Sequence, residues 1–575
     1  MKKLLLILLC MPLLTLAQQT VGLFSNQPSS YNGYTLFNSL GSTNTYLIDN
    51  CGVKVYEWNS NFKPAAVVYL LDNGNLLRTN QLPNTTFSFG GTGGGIEILD
   101  PNSNVIWSYE VNSDSTLAHH DLEVLPNGNI LILAIELISA QEADTCGSLV
   151  SIDRYSEMIL EVNPSTSQIV WEWHAWDHLI QDTDSNLLCY GTISEHPKRI
   201  NINYAYDGTD PDWLHANSID YNANLDQIII NSPTFNELWI IDHSTTTAEA
   251  ADSIGGFSGN GGDILYRWGN PQAYNRGDTL DQTFEFQHDA HWIPSGLPDQ
   301  GKIMIFNNGN QRGYSSIDII DPPLDANNYI LTNNSTPYGP LNLHWSYSDS
   351  INFYSAFISG AQQLENGNIL ICSGAQGSIF EVEFQTDSVV WDYIIPMVGP
   401  NPIAQGDTVP PMGNICFRAQ KFSPSYSGFN NLVLIPTTVI ELNPLPSTCQ
   451  IYISGCTDSL ACNYDPLSNI NDGSCNYNST SYDTLVSAIN INWNSLTLNN
   501  SGDYSVTLIN SVGCDSIANI NFTLQLLGTH DIASSKVITL IRITDMLGKE
   551  AQYRRNTPLF YIYDDGTVEK RMVIE

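Results

Sequence analysis

Six times along the chain an apolar run ends in two aromatic residues separated by a single residue: Tyr56 with Trp58, Trp107 with Tyr109, Trp171 with Trp173, Tyr266 with Trp268, Trp345 with Tyr347, and Trp391 with Tyr393. Alternate residues of a strand share a face, so each pair marks one side of a strand. A second unit recurs between them: an apolar strand, a turn of the Asn-Gly type and another apolar strand. It runs from Val67 to Leu77 around Asn73-Gly74, from Leu122 to Ile132 around Asn127-Gly128, and from Gln362 to Ile371 around Asn366-Gly367. Asn-Gly supplies the positive φ of a tight hairpin. Looser copies run from His215 to Ile230 and from His288 to Phe306. A β-rich unit repeated at this spacing buries its faces by stacking on its neighbours in a ring. The expectation is an all-β chain, a six-bladed β-propeller followed by small β modules, with the aromatic pairs packed between blades.

The chain begins Met1-Lys2-Lys3, continues in an apolar run from Leu4 to Leu16 and passes Ala17 before Gln18, the pattern of a secretory signal peptide over residues 1–17. No later run is long enough to span a bilayer, so no transmembrane segment is expected. Lys plus Arg number 21 against 59 Asp plus Glu, a formal charge of -38, which disfavours nucleic acid and anionic membrane as partners. Of the eleven cysteines only Cys10 falls in the leader. Export allows the others to oxidise, and disulfides within Cys449, Cys456, Cys462 and Cys475 would staple a polar, core-poor stretch. Asp465, Asn469, Asn471 and Asp472 in that stretch match a calcium loop poorly and read as a turn, so no metal is expected.

Three polar segments carry the chemistry: Asp212-Trp213-Leu214-His215-Ala216-Asn217-Ser218, Gln287-His288-Asp289-Ala290-His291-Trp292, and Asn307-Asn308-Gly309-Asn310-Gln311-Arg312-Gly313. Equivalent positions of successive repeats converge on the ring axis, so these segments can surround one small anion. Arg312 reverses the local sign in an acidic protein, and a guanidinium holds two oxygens of an oxyanion at once. His120, in His119-His120-Asp121 just before a hairpin strand, parallels His215 and His288. Asn217, His291 and Asn308 are candidate substrate contacts, His291 only if a bulge breaks the alternation after His288. His174 and His178, four apart around Trp176, have no third ligand of the expected pattern and read as loop packing.

The tail shows alternating strands from Gly502 to Asn510 and from Asn521 to Leu524. After it, Thr544-Asp545-Met546-Leu547-Gly548 and Tyr563-Asp564-Asp565-Gly566-Thr567-Val568-Glu569-Lys570 resemble the C-terminal sorting domain of proteins exported by the type IX secretion machinery of Bacteroidetes. The expected division is a propeller over 18–448, a Cys/Asp-rich spacer over 449–480, a small β module over 481–527 and a sorting domain over 528–575. The resemblance implies a secreted or cell-surface protein.

Over residues 33–446, beginning with Asn32-Gly33-Tyr34-Thr35-Leu36-Phe37 and Thr45-Tyr46-Leu47-Ile48-Asp49, the chain resembles the bacterial aryl-sulfate sulfotransferases. The resemblance implies transfer of a sulfuryl group from a phenolic sulfate to a phenol acceptor, with no nucleotide donor and no cofactor. It places His215, His288 and Arg312 at the sulfuryl site. That family also sulfates a histidine in a Gly-rich stretch, whereas here Ile371-Cys372-Ser373-Gly374-Ala375-Gln376-Gly377-Ser378-Ile379-Phe380 contains none, and Ser378 or Gln376 stands in its place. His120 or His291 could then be the acceptor, transfer could run directly between two phenols, or the propeller could bind sulfated aromatics without turnover.

Overall fold

Each aromatic pair lies on the fourth strand of its own antiparallel sheet. In the computed structural model, which describes residues 19–204, 209–325, 328–331, 335–525 and 537–572, six sheets of this kind follow one another. The expected leader lies outside the described residues, as do 526–527 of the expected β module and 528–536 and 573–575 of the expected sorting domain. The first sheet joins Ala419–Phe422, Tyr34–Asn38, Asn44–Ile48 and Lys54–Asn59; the second is Pro64–Leu70, Leu76–Gln81, Gly94–Leu99 and Val105–Glu110. The third is Thr116–Val124, Ile130–Ile138, Arg154–Asn163 and Gln168–His174. The fourth is Ser218–Asn222, Gln227–Ser232, Glu237–Asp242 and Tyr266–Trp268; the fifth is His288–Trp292, Ile303–Asn307, Ser316–Ile320 and Trp345–Ser348. The sixth is Gly360–Gln363, Ile369–Ser373, Ser378–Glu383 and Ser388–Ile394, with Gly22–Asn26 as a fifth strand outside it.

The inner strands close into a ring, and a polar side chain bridges every seam. Arg418 donates to the Tyr69 hydroxyl at 2.6 Å, and Tyr69 donates to Asp121 at 2.8 Å. Asp121 then accepts from the Ile219 amide at 3.2 Å, Asp220 from Trp292 at 2.7 Å and Asp289 from Ala361 at 2.9 Å. The Gln362 side chain accepts from the Lys421 amide at 2.7 Å, which returns to the first sheet. This is the arrangement of a β-propeller, with edges removed by closure. The core lies between adjacent sheets: Trp58 packs with Val68, Leu70 and Leu99, Trp171 and Trp173 with Ile228 and Trp239, and Trp391 and Tyr393 with Phe37 and Tyr46. Each fully buried large side chain contributes on the order of 2–3 kcal/mol. Tyr266 and Trp268 are buried in the same way, and Tyr347 with Trp345 packs between the fifth and sixth sheets, whereas Trp107 and Tyr109 are only half-buried.

Of the four cysteines expected to staple the polar stretch, Cys456 and Cys475 pair with each other, while Cys449 and Cys462 pair outside it. Cys449 reaches back 398 residues to Cys51, Cys146 pairs with Cys189, Cys456 with Cys475 and Cys462 with Cys514, while Cys372 and Cys416 are free and buried. Sequence spacing grouped Cys449 with its near neighbours because it carries no information on chain reversal. The chain divides into two compact units after Ser454. In the second, Ser479–Ser487, Asp515–Leu524 and Gly502–Ile509 form one sheet, and Leu540–Thr544, Leu559–Tyr563 and Val568–Arg571 another. The Cys462–Cys514 bond ties the Cys-rich stretch to the first of these sheets. No described helix is long and apolar enough to cross a membrane.

Candidate active site

Two inner strands break their alternation at the histidines. In the third sheet Ile132 pairs with Leu122 and Ala134 with Ala118, so His119, His120 and Asp121 stand opposite the single Leu133. In the fifth sheet His288 pairs with Phe306 and His291 with Met304, so Asp289 and Ala290 oppose Ile305. Such bulges re-aim side chains that regular pairing would send to opposite faces. The turning residues take positive φ: 48° at His120, 49° at His215 and 55° at Asp289. Non-glycine residues rarely adopt this conformation, and here it converges on one place.

That place is a cluster of histidines walled by phenyl rings. The His120 and His215 rings lie 4.9 Å apart edge to face, and Phe89 sits 6.3 Å from the first and 5.8 Å from the second. Phe286 lies 6.3 Å from His215, and Phe417 touches both His120 at 5.8 Å and His288 at 6.4 Å. The walls suit an aryl group. His215 Nδ1 donates to Asp212 at 2.5 Å, and His119 Nε2 donates to Glu157 at 3.0 Å. Nδ1 of His119 and Nδ1 of His120 share a hydrogen bond of 2.8 Å. Nε2 of His120 and Nε2 of His215 engage no hydrogen-bond partner among the described residues.

Environment drives the histidines apart in protonation. Burial pushes His120 well below 6.5, and the neighbouring His215, His119 and His288 add to this. His288 is pushed down to about 4, chiefly by burial. Burial also opposes charge on His215, but the Asp212 hydrogen bond and carboxylate outweigh it and hold His215 above 6.5. The environment therefore favours the charged form at His215 and the neutral form at His120 and His288.

The expected site residues fall into three groups. His120 and His215 meet with free Nε2 edges. His288 joins the cluster, but its Nδ1 donates to Asn308 Oδ1 at 2.8 Å and its Nε2 accepts from the Ile358 amide at 3.1 Å, so both nitrogens are engaged. Asn308 in turn donates to Ser355 and Ile358 carbonyls. Asn217 is buried, donating to the Gln287 carbonyl at 2.9 Å and accepting from Asn231 at 2.7 Å, so its amide is part of the scaffold. The Arg312 guanidinium folds onto its own turn, donating to Tyr314 O at 2.9 Å and Ser316 Oγ at 2.6 Å. The bulge that His291 required is present, yet His291 lines a separate cavity of about 180 Å³ with Glu123, Asp220, Asp289 and Arg418.

Sequence reasoning missed six residues that shape this centre: Phe89, His119, Glu157, Phe286, Phe417 and Arg418. Arg418 binds Asp121 at 3.0 Å and Asp289 at 2.8 Å, the residues immediately after His120 and His288, and so clamps both bulges. A lone arginine on the closing strand of an acidic protein was the available signal.

Fold and site together define the class as a β-propeller with a histidine-lined axial centre. The model of the arylsulfotransferase (ASST) family matches residues 23–394, and the chain belongs to that family. Sulfotransferase-type function on small molecules is what that membership carries. No curated protein matches the chain. Similar solved structures include a protein of unknown function from Bacteroides caccae, with TM-score 0.38 and 11% identity over 68% of this chain and 99% of that one. The WD40 domain of Toxoplasma gondii coronin gives TM-score 0.31 and 8% identity over 67% and 77%. The periplasmic gluconolactonase of Pseudomonas aeruginosa gives 0.32 and 9% over 64% and 84%.

Proposed function

We propose that this is an exported aryl-sulfate sulfotransferase that moves a sulfuryl group from a phenolic sulfate ester to a phenol without a nucleotide donor. The observation that carries this reading is the pair His120 and His215, 4.9 Å apart, shifted in opposite directions by their surroundings and enclosed by Phe89, Phe286 and Phe417. As the S–O bond of an aryl sulfate breaks, negative charge develops on the phenolic oxygen, and a donor placed there lowers the barrier. His215, held protonated by Asp212, supplies that proton and recovers it from the acceptor phenol, whose ordinary pKa is about 10. Neutral His120 stands beside it with a free ring nitrogen. His288 and Asn308 hold the floor of the site. Arg312 joins by exchanging Tyr314 O and Ser316 Oγ for nonbridging sulfuryl oxygens. Export is supported by the leader over 1–17, four disulfide bonds and the sorting-domain motifs near the C-terminus, which fit the type IX secretion machinery.

The test is phenol release from 4-nitrophenyl sulfate with and without an added phenol, nucleotide being absent. Acceptor-dependent release that disappears in His215→Ala is the expected result. Measurable ester binding with no release would instead assign a surface-displayed binding propeller. That second reading is favoured by one observation, the absence of histidine from residues 371–380.

A further inference from the structure

Behind His120 stands a chain of buried groups that the sulfotransferase reading does not use. Glu157, on the third strand of the third sheet, accepts at Oε2 from His119 Nε2 at 3.0 Å and at Oε1 from the Ala216 amide at 2.7 Å. His119 then meets His120 nitrogen to nitrogen at 2.8 Å. Both His119 and Glu157 are closed to solvent, with side-chain exposures of 0% and 1%. Phe89 covers the His119 ring at 5.4 Å.

Hydrogen-bond direction follows from this order and the tautomer of His119. A carboxylate only accepts, so His119 must donate from Nε2. In the neutral tautomer that donates from Nε2, His119 keeps a lone pair at Nδ1. His120 must therefore donate from its own Nδ1, which leaves the lone pair of His120 on Nε2. Gly91 leaves that edge open: a Cβ there would lie 2.2 to 2.4 Å from Nε2, Cε1 and Cδ2 alike, over the face of the ring rather than along the nitrogen's lone pair.

We propose that Glu157 and His119 are positioning residues that set the tautomer of His120, and that His120 Nε2 thereby serves as the covalent sulfuryl acceptor in this chain. The proposal rests on the sulfotransferase reading for its substrate. In the first half-reaction the Nε2 lone pair forms the N–S bond, the S–O bond to the aryl group breaks, and the phenolic oxygen leaves with the proton from His215 Nε2. The positive charge on the sulfated ring is relieved through Nδ1–H toward His119 and onward to Glu157. In the second, the acceptor phenol attacks sulfur, its proton goes to the now neutral His215, and the N–S bond breaks. No change of oxidation state occurs and no further reactant is needed.

The substitution Glu157→Gln separates this role from a merely structural one. The Ala216 amide is a fixed donor, so it claims the single amide oxygen of glutamine and turns the NH₂ toward His119. His119 must then accept at Nε2 and donate from Nδ1, which makes His120 accept at Nδ1 and carry its proton on Nε2. The nucleophile is lost while every distance can remain.

The tautomer is read in the resting protein from ¹⁵N-histidine spectra, with His120 signals assigned by their loss in His120→Gln. The wild type is expected to show a pyrrole-type Nδ1 and a pyridine-type Nε2 at His120, and Glu157→Gln the reverse. The variant's kcat should fall at least about 100-fold, with KM within about threefold, and Glu157→Asp should recover much of it. Radiolabelled sulfate incubated as its aryl ester without acceptor should lodge on the peptide bearing His120 in the wild type and not in Glu157→Gln. A proton on Nε2 of His120 in the wild type, wild-type turnover in a folded Glu157→Gln, or label on another residue would each overturn the proposal. If Glu157→Gln fails to fold, the wild-type tautomer and the site of label still decide it. If the wild type releases no phenol, the sulfotransferase reading falls, whereas the tautomer remains a separate test of the relay.

Discussion

Protonation divides labour among the central histidines, and the signs make its pH dependence specific. His120 is useful only when neutral and its pKa lies below 6.5, so activity should rise as pH climbs through a value below 6.5. His215 is useful only when charged and its pKa lies above 6.5, so activity should fall as pH passes a value above 6.5. A bell-shaped kcat/KM profile for 4-nitrophenyl sulfate is the expected outcome. Asp212→Asn removes the carboxylate that lifts His215, so the alkaline limb should move to lower pH while the acid limb stays. The same linkage acts on stability: the His215–Asp212 pair contributes fully below the unfolded histidine value of about 6.5, and the contribution is lost as pH rises through the higher folded value. Urea midpoints measured across this window check that sign.

The elements that present the site are bent strands, and this explains what the sequence disclosed. The Asn-Gly turns at 73–74, 127–128 and 366–367 all join adjacent strands, and Gly74, Gly128 and Gly367 have φ of 84°, 84° and 90°, as tight hairpins require. Period and turn chemistry are local, so they could be read directly. Bulges are not: nothing in His119-His120-Asp121 announces three residues facing one, and regular alternation sends His119 and His120 to opposite faces. Equally hidden were Glu157 and Phe89, ordinary residues made functional by neighbours distant in sequence. Arg312 was legible as a charge in a turn, but its side chain satisfies the turn that carries it. Gly91 belongs here too. Its φ of 82° and the His120 ring both exclude a side chain, so Gly91→Ala should destabilise the protein by about 1–3 kcal/mol and lower kcat as the ring is displaced. Paired denaturation and turnover measurements would show both losses.

At the scale of the whole molecule, the ring is closed by an ionic link from Arg418, just before its last strand, and by a covalent one from Cys449, beyond it. The Cys51–Cys449 bond spans 398 residues, and long loops confine the unfolded chain most. Replacing both cysteines by alanine should lower stability by about 2–4 kcal/mol in guanidinium unfolding, with activity at low temperature preserved. Arg418→Met should act differently, because it leaves the Asp121 and Asp289 carboxylates buried without their cation. A loss of about 3–5 kcal/mol is expected, together with lost turnover as the two bulges relax. Phe417 and Arg418 immediately precede Ala419–Phe422, the last strand of the six propeller sheets, which lies beside Tyr34–Asn38, one of the first. The catalytic chamber therefore lacks a wall and a clamp until synthesis of the propeller is complete. The site is thus unfinished in any partly made chain, and its assembly doubles as a certificate that the circle has shut.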